Sequence, residues 1–166
     1  MITFPRVCDM PAEPPGVWTV TVAPAPARVR IVVASDPDAV RDGLQSLFAL
    51  APFCDLSAEV RGTAEIVLAE ALNNIVEHAY AEYGGQIEVT LDYEHPSLCC
   101  EVVDNGLPMK DGRLPVGEIV DLNTLESLDD LPEGGFGWFL IRSLTRGMVY
   151  RRQSGRNTLA FRMEAG

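Results

Sequence analysis

The sequence predicts a two-layer α+β sandwich, with helices on one face of a mainly antiparallel, mixed sheet. Two observations lead to this class. Segments with strand-like alternation of apolar and polar residues occur before and after two long helical patterns. Short turns join the later strand segments in pairs, as in hairpins. The order strand, helix, helix, strand, strand, loop, helix, strand, strand therefore predicts helices layered on one sheet.

The composition is that of one globular domain. The chain has 166 residues, of which 47% are hydrophobic and 22% charged, and a chain of this kind buries a real core. No apolar run approaches the roughly 20 residues of a membrane span, and the first ten residues lack the apolar core of a secretory signal. We therefore expect a cytoplasmic protein without a membrane segment.

The four cysteines are Cys8, Cys54, Cys99 and Cys100. Their spacing is not that of a zinc site or a disulfide framework. Because free cysteine is among the most buried residue types, we expect them in the core or half-buried.

Charge is distributed unevenly along the chain. The formal net charge is -11, which argues against a nucleic-acid partner because phosphates are neutralised by clustered Lys and Arg. Residues 118–133 hold six acids and no base, whereas the chain after Gly137 has six Arg against the single acid Glu164. A basic region suits phosphates or an acidic protein, and a solvated charged surface is the alternative.

The N-terminal segment differs in character from the rest. Half of the twelve prolines fall within the first 26 residues, which disfavours regular structure apart from a short strand at residues 17–22. We divide the chain into a Pro-rich extension or peripheral strand, residues 1–27, and a domain at residues 28–166. At the start of the domain, Val29, Ile31 and Val33 alternate as a strand.

Two helical segments follow this strand. Asp36 is placed as an N-cap before Pro37 at the first helical position, and a helix is predicted to about residue 51. Residues 52–56 interrupt the pattern. Ser57 begins a second helix, which its 3.6-residue periodicity extends to about Tyr80.

The second half of the chain is predicted as two hairpins separated by a long loop and a short helix. Strands are expected at residues 86–92, 98–103, 148–153 and 157–163, and a helix at residues 137–144. The intervening loop, residues 106–135, contains three prolines and many acids. Loops of this length in compact domains are usually lids or binding loops, and we place a lid at about residues 109–134.

A polar stripe on the second helix is a candidate site. Glu70, Asn74 and His78 recur at four-residue intervals, so they share one face of a helix opposite an apolar face. A solvated surface explains such a stripe as well. However, the adjacent pair Asn73 and Asn74 is unfavourable in a helix interior because Asn competes for backbone hydrogen bonds, and this favours a functional role.

Two glycine turns are further candidates. Asp104 ends a predicted strand just before Gly106, a pattern that is also common in ordinary turns. Gly135 and Gly137 come directly before an apolar helix, where exposed N–H groups and the positive helix end suit a phosphate. A flexible loop before an ordinary helix is the alternative for the second turn.

The order and spacing of these motifs resemble the anti-sigma-factor serine/threonine kinases of the histidine-kinase-like ATPase superfamily. The motifs are Glu-x-x-x-Asn-x-x-x-His-Ala-Tyr at 70–80, Asp-x-Gly-x-Pro at 104–108, Gly-Gly-x-Gly-x-x-Leu-Ile at 134–141, and a hairpin with Tyr150 and Gly-Arg-Asn-x-Leu at 155–159. The resemblance covers about residues 28–163. It implies a Bergerat-type ATP-binding fold, with ATP or ADP and Mg²⁺ as ligands.

The resemblance also implies roles for residues on the second helix. The family has a Mg²⁺ ligand that helps to hold ATP at the position of Asn74, and a neutral oxygen donor suits this ion. Glu70 matches the proposed general base, which takes the proton of an incoming serine hydroxyl. His78 matches a further residue of the ATP site.

The remaining motif residues match the two ends of the nucleotide. Asp104 corresponds to the residue that accepts a hydrogen bond from the adenine amine, and Gly106 to the glycine that lets the purine approach the backbone. Gly135 and Gly137 correspond to the phosphate cradle beneath the lid.

The function implied by the resemblance is that of an enzyme and a regulator together. Such a protein phosphorylates a STAS-type anti-anti-sigma partner and sequesters a sigma factor, with neither nucleic acid nor membrane as a direct partner; a homodimer is left open. A nucleotide-gated partner-switching module without kinase activity is the alternative, and the intact Glu70 favours the kinase. The catalytic domain of a two-component histidine kinase is a third hypothesis, which the Pro-rich N-terminal segment disfavours.

Overall fold

The sheet contains six strands, and every pairing among the described residues is antiparallel. The computed structural model describes residues 21–23, 27–115 and 136–165. The strands are β1 (Thr21–Ala23), β2 (Ala27–Ala34), β3 (Gln86–Glu94), β4 (Ser97–Asp104), β5 (Arg146–Gln153) and β6 (Arg156–Glu164). Their order in the sheet is β1-β2-β3-β4-β6-β5. The C-terminal hairpin thus joins the earlier strands through the pairing of β6 with β4.

In the described part of the chain, three α-helices accompany the sheet: α1 (Pro37–Phe48), α2 (Ala58–Asn74) and α3 (Phe136–Leu144). The carboxylate of Asp36 caps α1 by accepting from the N–H groups of Asp38 and Ala39. Ser57 caps α2 by accepting from the N–H of Val60. Helix α2 contacts both α1 and α3. None of the helices in the described ranges has the length and apolar character needed to cross a bilayer.

The helices cover one face of the sheet because apolar side chains alternate along the strands. In β2 the alternate residues Val29, Ile31 and Val33 are buried, and β3 and β6 follow the same period of two. These side chains form one cluster with buried helix residues such as Leu68 and Leu72 of α2. Each such burial contributes roughly 1.5–3 kcal/mol, so this layer provides the main stabilisation of the fold.

The opposite face of the sheet is polar. Arg28 forms an ion pair with Asp92 at 2.6 Å, and Arg30 forms one with Glu88 at 2.5 Å, each across the pairing of β2 with β3. All four side chains alternate with the buried positions of their strands. The two faces therefore have the composition expected of a two-layer α+β sandwich.

Helix α2 changes its geometry just after Asn74. Residues Ile75–Ala79 form a π-helical turn, in which the N–H of Tyr80 donates to the carbonyl of Ile75 at 3.1 Å. Such turns occur frequently at functional sites. The helical segment predicted to end near Tyr80 is right in extent, but its last turn is wider than the 3.6-residue period assumed.

The α+β class predicted from the sequence is confirmed. The sheet was expected to be mixed, but all strand pairings in its described part are antiparallel. Helix α1 ends at Phe48, short of residue 51, and the first hairpin turns through His95 and Pro96. Residues 17–20 of the predicted N-terminal strand and 116–134 of the predicted lid lie outside the described residues, while residues 21–23 form β1.

The cysteines have the environments expected of them where the structure describes them. Cys100 is buried, and Cys54 and Cys99 are half-buried. Burial raises the pKa of the Cys100 thiol well above its ordinary value. The thiolate of Cys100 is therefore disfavoured, as in a structural cysteine. Cys8 lies outside the described residues.

Candidate functional site

A cavity of about 460 Å³ is bounded by the end of α2, the loop after β4, helix α3 and the C-terminal hairpin. Its polar lining comes from Asn74, His78, Asp104, Lys110, Tyr150 and Asn157. Its walls include the apolar side chains of Ile75, Trp138 and Leu159. A concave, mainly apolar cavity of this size with a few convergent polar groups is typical of a small-molecule site. The structure thus brings together Asn74 and His78 from one predicted motif and Asp104 from another.

Glu70 and Asn74 lie one helical turn apart on α2. The side-chain Nδ2 of Asn74 donates to the backbone carbonyl of Glu70 at 2.7 Å. This bond assigns the amide orientation, because a carbonyl accepts only from the NH₂ group. Oδ1 of Asn74 does not take part in this bond. It is therefore available as an oxygen ligand for a cation.

The carboxylate of Glu70 lies against Gly137 in the first turn of α3. A Cβ atom on Gly137 would lie 2.3 Å from Oε2 of Glu70 and 3.6 Å from Nδ2 of Asn74. Only glycine allows this close approach, since the carboxylate occupies the space of a side chain. The start of α3 is thereby held beside the polar stripe of α2.

The start of α3 has the features of a phosphate-binding helix end. The first N–H groups of a helix have no partner within the helix, and the helix dipole makes this end positive. Gly137 lies within this first turn, while Gly135 lies outside the described residues. The described part of the glycine motif therefore borders Glu70 and Asn74.

Asp104 is a buried carboxyl group at the end of β4, with 5% of its surface exposed. Its Oδ1 accepts from the N–H of Gly106 at 2.8 Å and from Nδ2 of Asn157 at 2.7 Å. Burial raises the pKa of Asp104 above its ordinary value, and the bonds from Asn157 and Gly106 and the charge of Arg152 act in the opposite direction. A buried acceptor of this kind selects a ligand that offers a donor.

Gly106 packs against the π turn that follows α2. A Cβ on Gly106 would lie 2.5 Å from the carbonyl oxygen of Ala79, and the N–H of Leu107 donates to the same oxygen at 2.9 Å. The group that leaves no room for a side chain on Gly106 is thus the backbone of the π turn. The sequence analysis named only a purine as a close neighbour of this glycine. The loop after β4 is fastened to the end of α2 by this contact.

His78 lies in the π turn and lines the cavity while remaining exposed. Hydrogen bonds in a π turn span five residues instead of four. His78 is consequently rotated relative to the straight α-helical stripe that was predicted to join it to Glu70 and Asn74. It faces the cavity with Asn74, although the geometry differs from the prediction.

Three residues of the C-terminal hairpin belong to the site but received no role from sequence reasoning. Asn157 is 4% exposed, and its Oδ1 accepts from the hydroxyl of Tyr150 at 2.7 Å and from Arg152 at 2.5 Å. Tyr150 and Asn157 were part of the recognised hairpin motif. Asn157 contacts Asp104 through the pairing of β6 with β4, which the motif itself does not reveal, and Tyr150 is connected to Asp104 only through Asn157.

A comparison with protein-family models matches residues 33–163 to the histidine kinase-like ATPase domain. The match spans most of the chain and contains every element that bounds the cavity. The chain belongs to the histidine kinase-like ATPase family. The family expected from the motifs is therefore confirmed.

Similar proteins within the histidine kinase-like ATPase family include bacterial protein kinases. The chain is 32% identical over 104 residues to the serine/threonine-protein kinase BtrW of Bordetella bronchiseptica, covering 62% of this chain and 70% of that protein. It is 33% identical over 97 residues to the serine-protein kinase RsbW of Bacillus mycoides, covering 57% of this chain and 59% of the relative. The match to the RsbW of Bacillus cereus is 30% over 95 residues, again covering 59% of that relative.

Proposed function

We propose that the protein binds Mg²⁺-ATP in this cavity and transfers the γ-phosphoryl group to a Ser or Thr of an anti-anti-sigma partner. The observation that carries the proposal is the contact of Glu70 with Gly137, which sets a carboxylate beside Asn74 and the start of α3. A base, an oxygen donor and a phosphate-binding helix end are thus adjacent. Relatives named as serine-protein kinases support the same reaction.

The adenine is expected at the Asp104 end of the cavity. Because Oδ1 of Asp104 already accepts two hydrogen bonds, Oδ2 is the acceptor that remains for the amino group of adenine. Guanine presents a carbonyl oxygen at the corresponding position, which would face the carboxylate oxygen without a proton between them. This arrangement favours ATP over GTP.

The triphosphate is expected to run from this end toward α3. Oδ1 of Asn74 is a neutral oxygen donor of the kind that Mg²⁺ accepts beside phosphates and water, so the residues present fit the ion. When bound, Mg²⁺ supplies neutralisation of the charge on the β- and γ-phosphates. The first-turn N–H groups of α3 would contact the phosphate oxygens directly.

Phosphoryl transfer then needs an oriented hydroxyl group. The hydroxyl oxygen of the partner forms a bond to the γ-phosphorus as the bond to the β,γ-bridging oxygen breaks, and ADP leaves. Glu70 takes the hydroxyl proton on a carboxylate oxygen. Glu70 is half-buried, so part of its side chain stays accessible to an incoming hydroxyl group.

The regulatory part of the proposal follows from the family resemblance of the motifs. The partner is taken to be a STAS-type anti-anti-sigma protein, and the unphosphorylated partner would compete with a sigma factor for this protein. A cytoplasmic location belongs to this proposal, because transcription control takes place there. Kinase activity and sigma-factor binding are separable properties of such a protein.

The direct test is incubation of the purified protein with γ-labelled ATP and a candidate STAS domain from the same genome. Transfer of label to a Ser or Thr of the domain is the expected result. Nucleotide-dependent binding of the domain without transfer would replace the kinase by a nucleotide-gated switching module. A matched reaction with the acceptor Ser or Thr changed to Ala controls for labelling elsewhere.

A further inference from the structure

We propose that Asn157 is a positioning residue for nucleotide selection, which holds the carboxylate of Asp104 so that one oxygen faces the adenine amine. The proposal rests on the proposed function in one respect, namely that Asp104 reads the base. The two residues are direct partners in the pairing of β4 with β6. Both are nearly inaccessible, with exposures of 4% and 5%. Their contact is therefore built into the sheet.

The hydrogen bonds determine which oxygen of Asp104 is left for a ligand. Oδ1 accepts from Nδ2 of Asn157 and from the N–H of Gly106. Without the bond from Asn157, the carboxyl group would keep only one anchor and could rotate about its last side-chain torsion. The bond from Asn157 thus fixes the plane of the carboxylate.

The amide of Asn157 is itself held in one orientation. Its Oδ1 accepts from Arg152, which has only donors, and from the hydroxyl of Tyr150. Tyr150 donates to Asn157 because its oxygen accepts from the N–H of Met109 at 3.1 Å. With Oδ1 committed to these donors, the NH₂ group must face Asp104.

The same network reaches the loop that follows β4. Nδ2 of Asn157 also lies 3.0 Å from the carbonyl oxygen of Leu107, and Arg152 donates to the carbonyl of Gly106 at 3.0 Å. The carbonyl and N–H groups that shape this wall of the cavity are therefore tied to the C-terminal hairpin. Several mutually supporting hydrogen bonds thus hold Asp104 and Asn157 in place, as a base-selective site requires.

The charged and titratable groups around Asp104 are few. Arg152 and Tyr150 face it from β5, and His78 and Lys110 line the same cavity from the π turn and the loop. Among the described residues of β5 and β6, Asn157 alone donates a hydrogen bond to Asp104. Removal of the Asn157 amide therefore takes away a hydrogen bond that holds the Asp104 carboxylate in place.

The experiment compares the binding of ATP and inosine triphosphate by calorimetry. Inosine triphosphate has a carbonyl oxygen in place of the adenine amino group, so the ratio of the two affinities reports on Asp104. The parent is expected to prefer ATP. Asn157→Leu, which removes the donor at similar volume, is expected to lower this preference by roughly 10-fold or more. A merely structural role would weaken both nucleotides equally.

Matched variants complete the test. Thr158→Val changes the next residue of β6, which pairs with Val103 on the opposite face of the sheet, and should leave the ratio unchanged. Tyr150→Phe removes one hydroxyl that orients Asn157 and should lower the preference less than Asn157→Leu does. This second variant decides the matter if Asn157→Leu does not fold.

The outcomes separate this proposal from the proposed function. A parent without preference for ATP over inosine triphosphate would overturn the role of Asp104 and, with it, that of Asn157. A parent that prefers ATP, together with folded Asn157 and Tyr150 variants of unchanged preference, would overturn the positioning role alone. In that case base reading by Asp104 would stand.

Discussion

Oε2 of Glu70 lies in the space that a side chain on Gly137 would occupy, at 2.3 Å from the position of its Cβ. This contact joins α2 and α3 at the point where a carboxylate, an amide oxygen donor and a helix N-terminus come together. A glycine at this position, which otherwise costs helix stability, leaves the carboxylate of Glu70 free to occupy this space.

A methyl group at this contact should impair catalysis. In Gly137→Ala the carboxylate of Glu70 or the start of α3 must move, and a displacement of about 1 Å at a reacting group can cost roughly 100-fold in rate. We expect phosphoryl transfer to slow by about this factor, measured in single turnover with saturating ATP. Gly62→Ala on α2 is the matched control, because a Cβ there meets nothing within 4 Å.

The Gly62→Ala control should stabilise the protein slightly. Alanine in a helix interior is favoured over glycine by roughly 0.5–1 kcal/mol, so its urea midpoint should rise while its transfer rate stays at the parental value. A Gly137→Ala protein with the parental transfer rate would show that the Glu70 contact has no catalytic consequence.

Replacement of Asp104 tests the adenine site. In Asp104→Asn the retained oxygen can still accept from Asn157 and Gly106, so the new NH₂ group faces the adenine amine, donor against donor. ATP binding should weaken by about 1–3 kcal/mol, the cost of a buried unsatisfied contact. Titration calorimetry with ATP and GTP measures the effect, and equal affinities of the parent protein for the two would refute adenine reading.

Asn74 and its neighbour provide a second matched pair. Asn74→Ala removes the proposed Mg²⁺ ligand together with the hydrogen bond to the carbonyl of Glu70, so Mg²⁺-ATP affinity should fall while ATP affinity in EDTA changes little. Asn73→Ala changes a residue that does not line the cavity and should leave both affinities intact. Equal losses with and without Mg²⁺ in Asn74→Ala would argue for a purely structural role.

The sequence was sufficient for the fold class because its signals are local. The cap at Asp36, the start of a helix at Ser57 and the alternation of Val29, Ile31 and Val33 each depend on neighbouring residues, and the structure places all of them as predicted. The π turn after Asn74 was missed because a periodicity of 3.6 residues does not distinguish it from one more α-helical turn. The hydrogen bond between its Ala79 carbonyl and the N–H of Leu107 is tertiary and cannot be read from the local sequence.

The candidate site was predictable only in part for the same reason. Glu70 and Asn74 are four residues apart in a predicted helix, so the sequence alone places them on the same face. The approach of Gly137 to Glu70, and the pairing of Asn157 with Asp104, arise from helix packing and strand register. Neither distance is encoded in the spacing of the residues, although both glycine and asparagine stood within recognised motifs.

We propose Glu70 as the general base of a protein kinase, and the Glu70→Gln variant is the decisive test of this role. Glutamine keeps the shape and the contact with Gly137 but lacks the basic oxygen, so ATP affinity should barely change. Single-turnover transfer to the STAS-type partner at saturating ATP should slow by roughly 10²- to 10⁴-fold. Transfer at the parental rate by a folded, ATP-binding Glu70→Gln protein would show that Glu70 is not the general base.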